Sequence, residues 1–240
     1  MLHKTQGIVL GTSKYNDTYS ITHLFTRDFG RISYLLPRTH GRRSKIKTSL
    51  FFPLSVLFLE VEHMPLRDVQ RLKDAERQFP LYEVNTHMTK ISLAFFLSEF
   101  LSRVLRESDH NDLIFDFLKN SVETLEAAEK GLANFHLALM LGLTRYLGVY
   151  PNVDFVGRNS YFDLLNGEYV ARMPLHSHYL SREQSAFISH LHRMNYGNMH
   201  LFRLSRQNRN AIVEYLLEYY RLHIYDFPPL KSLEILRELV

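Results

Sequence analysis

Apolar and polar positions follow one another in short runs over the first eighty residues, then recur at helical spacing along the rest of the chain. The segments "GIVLGT" (7–12), "YSITHLFT" (19–26), "GRISYLLPR" (30–38), "LSVLFLEV" (54–61) and "RDVQRLKDAE" (67–76) are rich in Val, Ile, Leu, Phe, Tyr and Thr, and each reads as a strand. Gly30 in "TRDFGR" is free to take a positive φ for a tight turn between the second and third strands, and "HMPLRD" joins the fourth and fifth across Pro65. Five short strands with a long connection between the third and fourth suit a small closed barrel of the OB-fold type, because closure removes the edges an open sheet would leave exposed.

After Pro80 the period changes. Leu93, Phe96, Leu97, Phe100, Leu101, Val104 and Leu105 trace one broad apolar side, so residues 86–107 read as a largely buried helix. Asp109 is expected to cap a helix over 110–131 that ends at Gly131, and a third helix over 132–151 stops at Gly148 and Pro151. Ser181 with Gln184 forms a capping box for a helix over 182–195. Ser205 opens a helix over 206–224, and a short apolar helix over 230–240 closes the chain. Between Pro151 and Ser181 the helical pattern lapses, and "YFDLLNGEYV" reads as a hairpin turning at Asn166-Gly167. The fold class is therefore α+β: a five-stranded OB-fold barrel in residues 1–80, then a mainly helical domain in residues 81–240 with a hairpin insert at about 155–175.

Charge adds a partner class to this picture. The chain carries a net charge of +4, but residues 1–80 hold thirteen Lys and Arg against seven Asp and Glu, leaving the remaining residues slightly negative. Arg38, Arg42, Arg43, Lys45 and Lys47 fall within ten residues that contain no acid, in the long loop between the third and fourth strands. Arg27 and Arg31 flank the neighbouring turn. Such a concentration points to a polyanion, with the phosphates of a nucleic acid tracked by charge. No base-reading code is visible, so binding without sequence preference is expected. Tyr15, Tyr19 and Tyr34 offer stacking faces, although strand alternation buries at least one of them.

Candidate catalytic chemistry is sparse. The chain has no cysteine, which excludes disulfides, thiolate catalysis and cysteine-ligated metals, and it lacks a Walker loop, a dinucleotide glycine fingerprint, a nucleophile elbow and a His-Glu-x-x-His helix. His176-x-His178 and His190-x-His192 are the metal-ligand candidates; the second pair is splayed by about 200° if helical, so it cannot easily chelate one ion. Neither an apolar stretch of signal-peptide length nor a membrane span is present, and the cytoplasm is the expected compartment.

The opening "GIVLGTSKYNDTYSITHLFTRDFGRISYLLPRTHGRRSK", the "LKDAE" of Leu72–Glu76, the "LALMLGLTRYLGVYPN" segment with its Leu-Gly-x-x-Pro turn, and the "YFDLLNGEYV" hairpin resemble the RecO family of bacterial recombination mediators and strand-annealing proteins. In the hairpin, Phe162, Asp163, Gly167 and Tyr169 stand at matching places. Many members of that family carry two Cys-x-x-Cys pairs around the hairpin and bind zinc there. This chain departs from that pattern, so no zinc is implied, and Phe155, Tyr161 and Phe162 are expected to pack in its place.

The resemblance implies a non-catalytic protein without cofactor. It would bind single- and double-stranded DNA through Arg27, Arg31, Arg38, Arg42, Arg43, Lys45 and Lys47, and anneal complementary strands. It would join RecR and help exchange single-strand-binding protein for RecA during gap repair, in association with the bacterial nucleoid. An apolar groove on the helical part is expected to take the acidic tail of single-strand-binding protein, with Arg103, Arg106 or the cations of "RLSRQNR" (203–209) as docking charges. Two other readings stand beside it: an OB-fold RNA-binding protein, and a histidine-metal hydrolase of nucleic acids working through His176 and His178.

Overall fold

A run of four consecutive buried residues, Gly7, Ile8, Val9 and Leu10, explains why the first strand lacks clean alternation: both of its faces are covered. In the computed structural model, which describes residues 2–37, 46–106, 109–153 and 160–239, this strand is β1 (Leu2–Lys14). It is followed by β2 (Tyr19–Thr26), β3 (Gly30–Pro37), β4 (Val56–Glu62) and β5 (Val69–Arg77). The strands close in the order β1-β2-β3-β5-β4, with β1 antiparallel to β4 and β3 parallel to β5. This is the OB-fold barrel expected from the pattern of runs and turns. Gly30 takes φ +66°, and the buried Thr26 hydroxyl locks that turn by donating to the Gly30 carbonyl at 2.8 Å and accepting the Phe29 N–H at 3.2 Å.

Val9, Leu24, Tyr34, Leu36, Leu57, Leu59 and Val61 fill the barrel. Gly7 faces the same interior: a Cβ there would lie 2.7 Å from Leu59 Cδ1. Tyr34 is therefore a core residue and presents no face to a base, while Tyr15 is exposed.

The chain divides into two compact units, residues 1–127 with 230–239, and residues 128–229. The first adds to the barrel α1 (Tyr82–Thr86), α2 (Met88–Val104), α3 (Asp112–Ala127) and the C-terminal α7 (Leu233–Leu239). Helix α2 packs on β1, and Phe115 of α3 stacks on Phe25 of β2 at 6.4 Å. Glu126 accepts the N–H groups of Glu83 and Val84, both at 2.9 Å, and so caps α1; the buried Lys90 donates to the Glu126 carbonyl at 2.7 Å. Asp109 is not the cap of α3. Asn111, the residue directly before the helix, accepts the Ile114 N–H at 3.1 Å and takes that place.

The second unit contains α4 (Leu132–Tyr146), a sheet of β6 (Tyr161–Asp163), β7 (Glu168–Val170) and β8 (Tyr179–Leu180), then α5 (Arg182–Ser189) and α6 (Arg206–His223). The hairpin turns where expected, with Gly167 at φ +68°. Asp163 holds the turn by accepting the Leu165 and Asn166 N–H groups at 2.9 and 3.0 Å. The Ser181–Gln184 capping box is present. Helix α5 stops at Ser189 rather than running to 195: the chain tightens into a 3-10 turn over Leu191–Arg193, and beyond it the Asn195 side chain accepts the Gly197 N–H at 2.9 Å in a further turn. Gly131 does not end α3; it stands at φ +77° immediately before α4.

Candidate nucleic-acid interface

The long basic loop leaves the barrel at Pro37, which pairs with Tyr19 at the start of β2. It returns at Ile46, buried in the barrel core, followed by the exposed Lys47. Arg38, Arg42, Arg43 and Lys45 lie outside the described residues.

The two arginines beside the β2–β3 turn have different surroundings. Arg27 donates to Asp112 Oδ1 at 3.0 Å and to Asp116, and its guanidinium lies over the Phe115 ring at 4.7 Å. Burial alone would make it a weaker base, but the two carboxylates outweigh this and hold it protonated more firmly than usual. Its charge is shared with α3, and Asp112 gains as well from standing in the first turn of that helix.

Arg31 stands opposite Phe25 on β3. Its Nε is buried without a hydrogen-bond partner among the described residues, and so is the Nε of Arg103 on the last turn of α2. Burial, then the neighbouring charges of Arg106 and Arg103, lower the basicity of Arg31. The same field reaches His23 on β2: burial, Arg31 and Arg103 push its imidazole down to about 4, so it is neutral at pH 7, with Nδ1 2.9 Å from the Ser33 hydroxyl. Three guanidinium groups from the barrel and the end of α2 thus act on one another as like charges.

Arg31 and Arg103 border a groove of about 890 Å³ between β1, α2 and the start of the C-terminal helix. Leu10, Phe51, Pro53 and Ile91 line it, and Met88, Phe95 and Ile235 stand in it with 64%, 48% and 55% of their surfaces exposed. Glu99 also faces the groove, but its carboxylate is engaged by the backbone of Lys231 and Ser232. The cations at the end of α2 are visible in the sequence as a break in an otherwise apolar helix. That they face Arg31, more than seventy residues earlier, is not.

In the second unit, His176 Nε2 meets Asp163 Oδ2 at 3.2 Å and His178 Nδ1 meets Glu218 Oε1 at 3.0 Å, two separate carboxylates. Among the described residues no three His, Asp or Glu side chains gather as a metal site. His192 is buried against the Tyr169 hydroxyl at 3.1 Å, its imidazole pushed down to about 4 by burial and by Arg145. Around the hairpin, Phe162 is buried with Tyr169 at 4.9 Å and Tyr219 at 6.2 Å, and Tyr161 meets Tyr179 edge-on at 5.7 Å. Phe155 lies outside the described residues.

Residues 1–78 match the family model described as Recombination protein O N terminal, and residues 86–234 match that of Recombination protein O C terminal. The chain belongs to the RecO family. The DNA repair protein RecO of Phocaeicola vulgatus is 42% identical over all of this chain and 99% of its own length. RecO proteins of Azobacteroides pseudotrichonymphae (40%, 98% of each chain) and Porphyromonas gingivalis (36%, all of this chain and 99% of that protein) are similar over the same extent. RecO membership makes this a DNA repair protein, and the closed barrel is the fold of its matched N-terminal part. Among the described residues no helix is long and apolar enough to cross a membrane.

Proposed function

We infer that this protein is a non-catalytic recombination mediator. It binds single- and double-stranded DNA without sequence preference, anneals complementary strands and, with RecR, helps load RecA onto DNA coated by single-strand-binding protein, in the bacterial cytoplasm at the nucleoid. The observation that carries this reading is the match of the RecO family over nearly the whole chain, on a barrel whose residues 1–80 concentrate the positive charge.

In this reading residues 1–80 form the DNA-binding domain and residues 81–240 the partner-binding one. Arg31, Arg38, Arg42, Arg43, Lys45 and Lys47 neutralise phosphates. Arg27 contributes less, because Asp112 and Asp116 already balance it. Annealing needs two strands held close with their charges offset and their bases free, which a cationic surface lacking tight base pockets supplies with no bond made or broken.

Strand annealing measured with and without single-strand-binding protein tests the activity. The binding site is tested by replacing Arg42, Arg43 and Lys45 with alanine, which should lower oligonucleotide affinity and flatten its dependence on salt by about one unit of log–log slope per lost phosphate contact. Equal affinity and slope in a folded triple variant would reject the site, and RNA binding equal to or stronger than DNA binding would count against a repair role.

A further inference from the structure

We propose that the outer face of β1, β4 and β5 is a docking site for a cationic segment of a protein partner, one that presents an Arg or Lys side chain beside an apolar residue. The site is separate from the DNA-binding surface inferred above and does not rest on it.

Strand alternation and register build the face. On β4, Leu57, Leu59 and Val61 point into the barrel, so Phe58 and Glu60 point out. Gln6 of β1 stands on one side of Phe58 and Glu76 of β5 on the other, while Glu60 stands between Lys4 and Asp74. Together with Asp28 in the β2–β3 turn they line an open trough of about 640 Å³. Phe58 lines it with 46% of its surface exposed.

Charge selects the class of occupant. Asp28, Glu60, Asp74 and Glu76 line the trough against one lysine, Lys4. Arg27 also reaches it, but its charge is taken up by Asp112 and Asp116. Among the described residues none of the four carboxylates forms an ion pair. On a barrel that is basic as a whole, this face repels phosphates, which excludes a nucleic acid as its occupant. Nor do the carboxylates converge on one metal ion, since no three His, Asp or Glu side chains gather as ligands among the described residues. Negative charges spread along a trough match a peptide carrying cations.

The Phe58 ring adds specificity. A cation is drawn to the π face of an aromatic ring, and a guanidinium lying on that face still has N–H groups to give to carboxylates at the rim. Glu76 occupies the position directly across the strand pair from Phe58, close enough to share one such group. An apolar neighbour on the partner then covers the rest of the ring. The protein already contains the same combination satisfied internally: the Arg27 guanidinium lies over Phe115 at 4.7 Å and donates to Asp112 and Asp116. At Phe58 the ring and the carboxylates are present and the cation is left to a partner.

Fluorescence anisotropy with a labelled peptide of alternating Arg and Leu tests this, with Arg-Gly and Glu-Leu peptides of equal length beside it. The parent protein is expected to bind the Arg-Leu peptide more tightly than the Arg-Gly peptide, and the Glu-Leu peptide not at all. Phe58→Ala and Glu76→Gln should each weaken binding about threefold. The combined Glu60→Gln, Asp74→Asn and Glu76→Gln variant should weaken it about tenfold and flatten its dependence on salt. Glu234→Gln with Glu238→Gln, on α7, should leave it unchanged, and urea midpoints show that each variant is folded. Oligonucleotide affinity should not fall in the triple variant.

A parent protein that does not bind the Arg-Leu peptide overturns the proposal, as does an equal loss in the α7 variant or no loss in Phe58→Ala. If the triple variant loses oligonucleotide affinity, the face belongs to the DNA surface and the proposal falls. If sedimentation shows that the parent pairs with itself and the triple variant does not, the occupant is a second copy of this chain and a separate partner is refuted. A parent protein that binds no DNA would reject the mediator role and leave this site standing.

Discussion

Replacing Glu99 with alanine is expected to detach the C-terminal helix α7 from α2. The Glu99 carboxylate accepts the Lys231 N–H at 3.1 Å, the Ser232 N–H at 2.8 Å and the Ser232 hydroxyl at 2.6 Å. A helix of seven residues does not persist alone in water. Leu233 and Leu236 of α7 are buried, and this carboxylate fixes the residues that lead into it. Hydrogen bonds to a charged group contribute roughly 1.5–3 kcal/mol each, but the side chain is one-fifth exposed, and water recovers part of the loss. The whole set then comes to about 2–4 kcal/mol.

Urea unfolding and amide hydrogen exchange over residues 230–239 read this directly. The alanine variant should lose most of its protection in α7, Glu99→Gln should fall between it and the parent, and Ser232→Ala should cost about 1 kcal/mol for the hydroxyl alone. The pH dependence has a definite sign. Burial by itself would raise the Glu99 carboxyl, but the Ser232 and Lys231 donors and Arg103 hold it below the usual range. Its contribution is therefore complete above the unfolded carboxylate range and is lost as pH falls through the depressed value. An alanine variant within about 0.5 kcal/mol of the parent, a tenth or less of a typical domain's stability, with α7 still protected, would refute this account.

Acid should destabilise the protein well before its carboxylates titrate. Burial depresses His136 to about 3, His23 to about 4 and His192 to about 4, so the unfolded chain binds protons from about pH 6.5 downward while the folded one does not. For the fully buried His136 alone this costs on the order of 2 kcal/mol at pH 5; a urea midpoint equal at pH 7 and pH 5 would contradict it. Gly167→Ala forces a side chain into φ +68° with its Cβ 2.6 Å from Tyr219 Oη, which donates to the Val149 carbonyl at 2.8 Å. A loss of about 2–3 kcal/mol is expected in thermal unfolding. Arg27→Ala should cost about 1–2 kcal/mol through its two aspartates and Phe115. It should leave oligonucleotide affinity within twofold, and a larger drop would return Arg27 to the DNA surface.

The barrel was legible because its signals are local: strand runs, a glycine at the β2–β3 turn where φ is positive, and a long basic loop. Helices α4 and α6 were legible for the same reason, and Ser181 with Gln184 marked a helix start on spacing alone. What stayed hidden depends on residues distant in sequence. Arg27 reads in the sequence as a phosphate ligand, and no local pattern reports that Asp112 and Asp116, 85 and 89 residues further on, stand beside it. The groove is assembled from β1, α2 and the last helix, and no periodicity reports that juxtaposition. Strand β8 has two residues, too few for alternation to register. Helix α5 ended early because the chain tightens into a 3-10 turn over Leu191–Arg193, which the helical spacing of the sequence does not distinguish from a further α-turn.

The return of residues 230–239 to the N-terminal unit sets an order of events on the ribosome. Barrel, α2 and α3 emerge first, yet the helix that finishes their packing follows only after the entire second unit. The nascent protein therefore carries an unsealed apolar flank on α2 until residues 230–239 emerge, and a chain cut before residue 230 would leave that flank exposed for good.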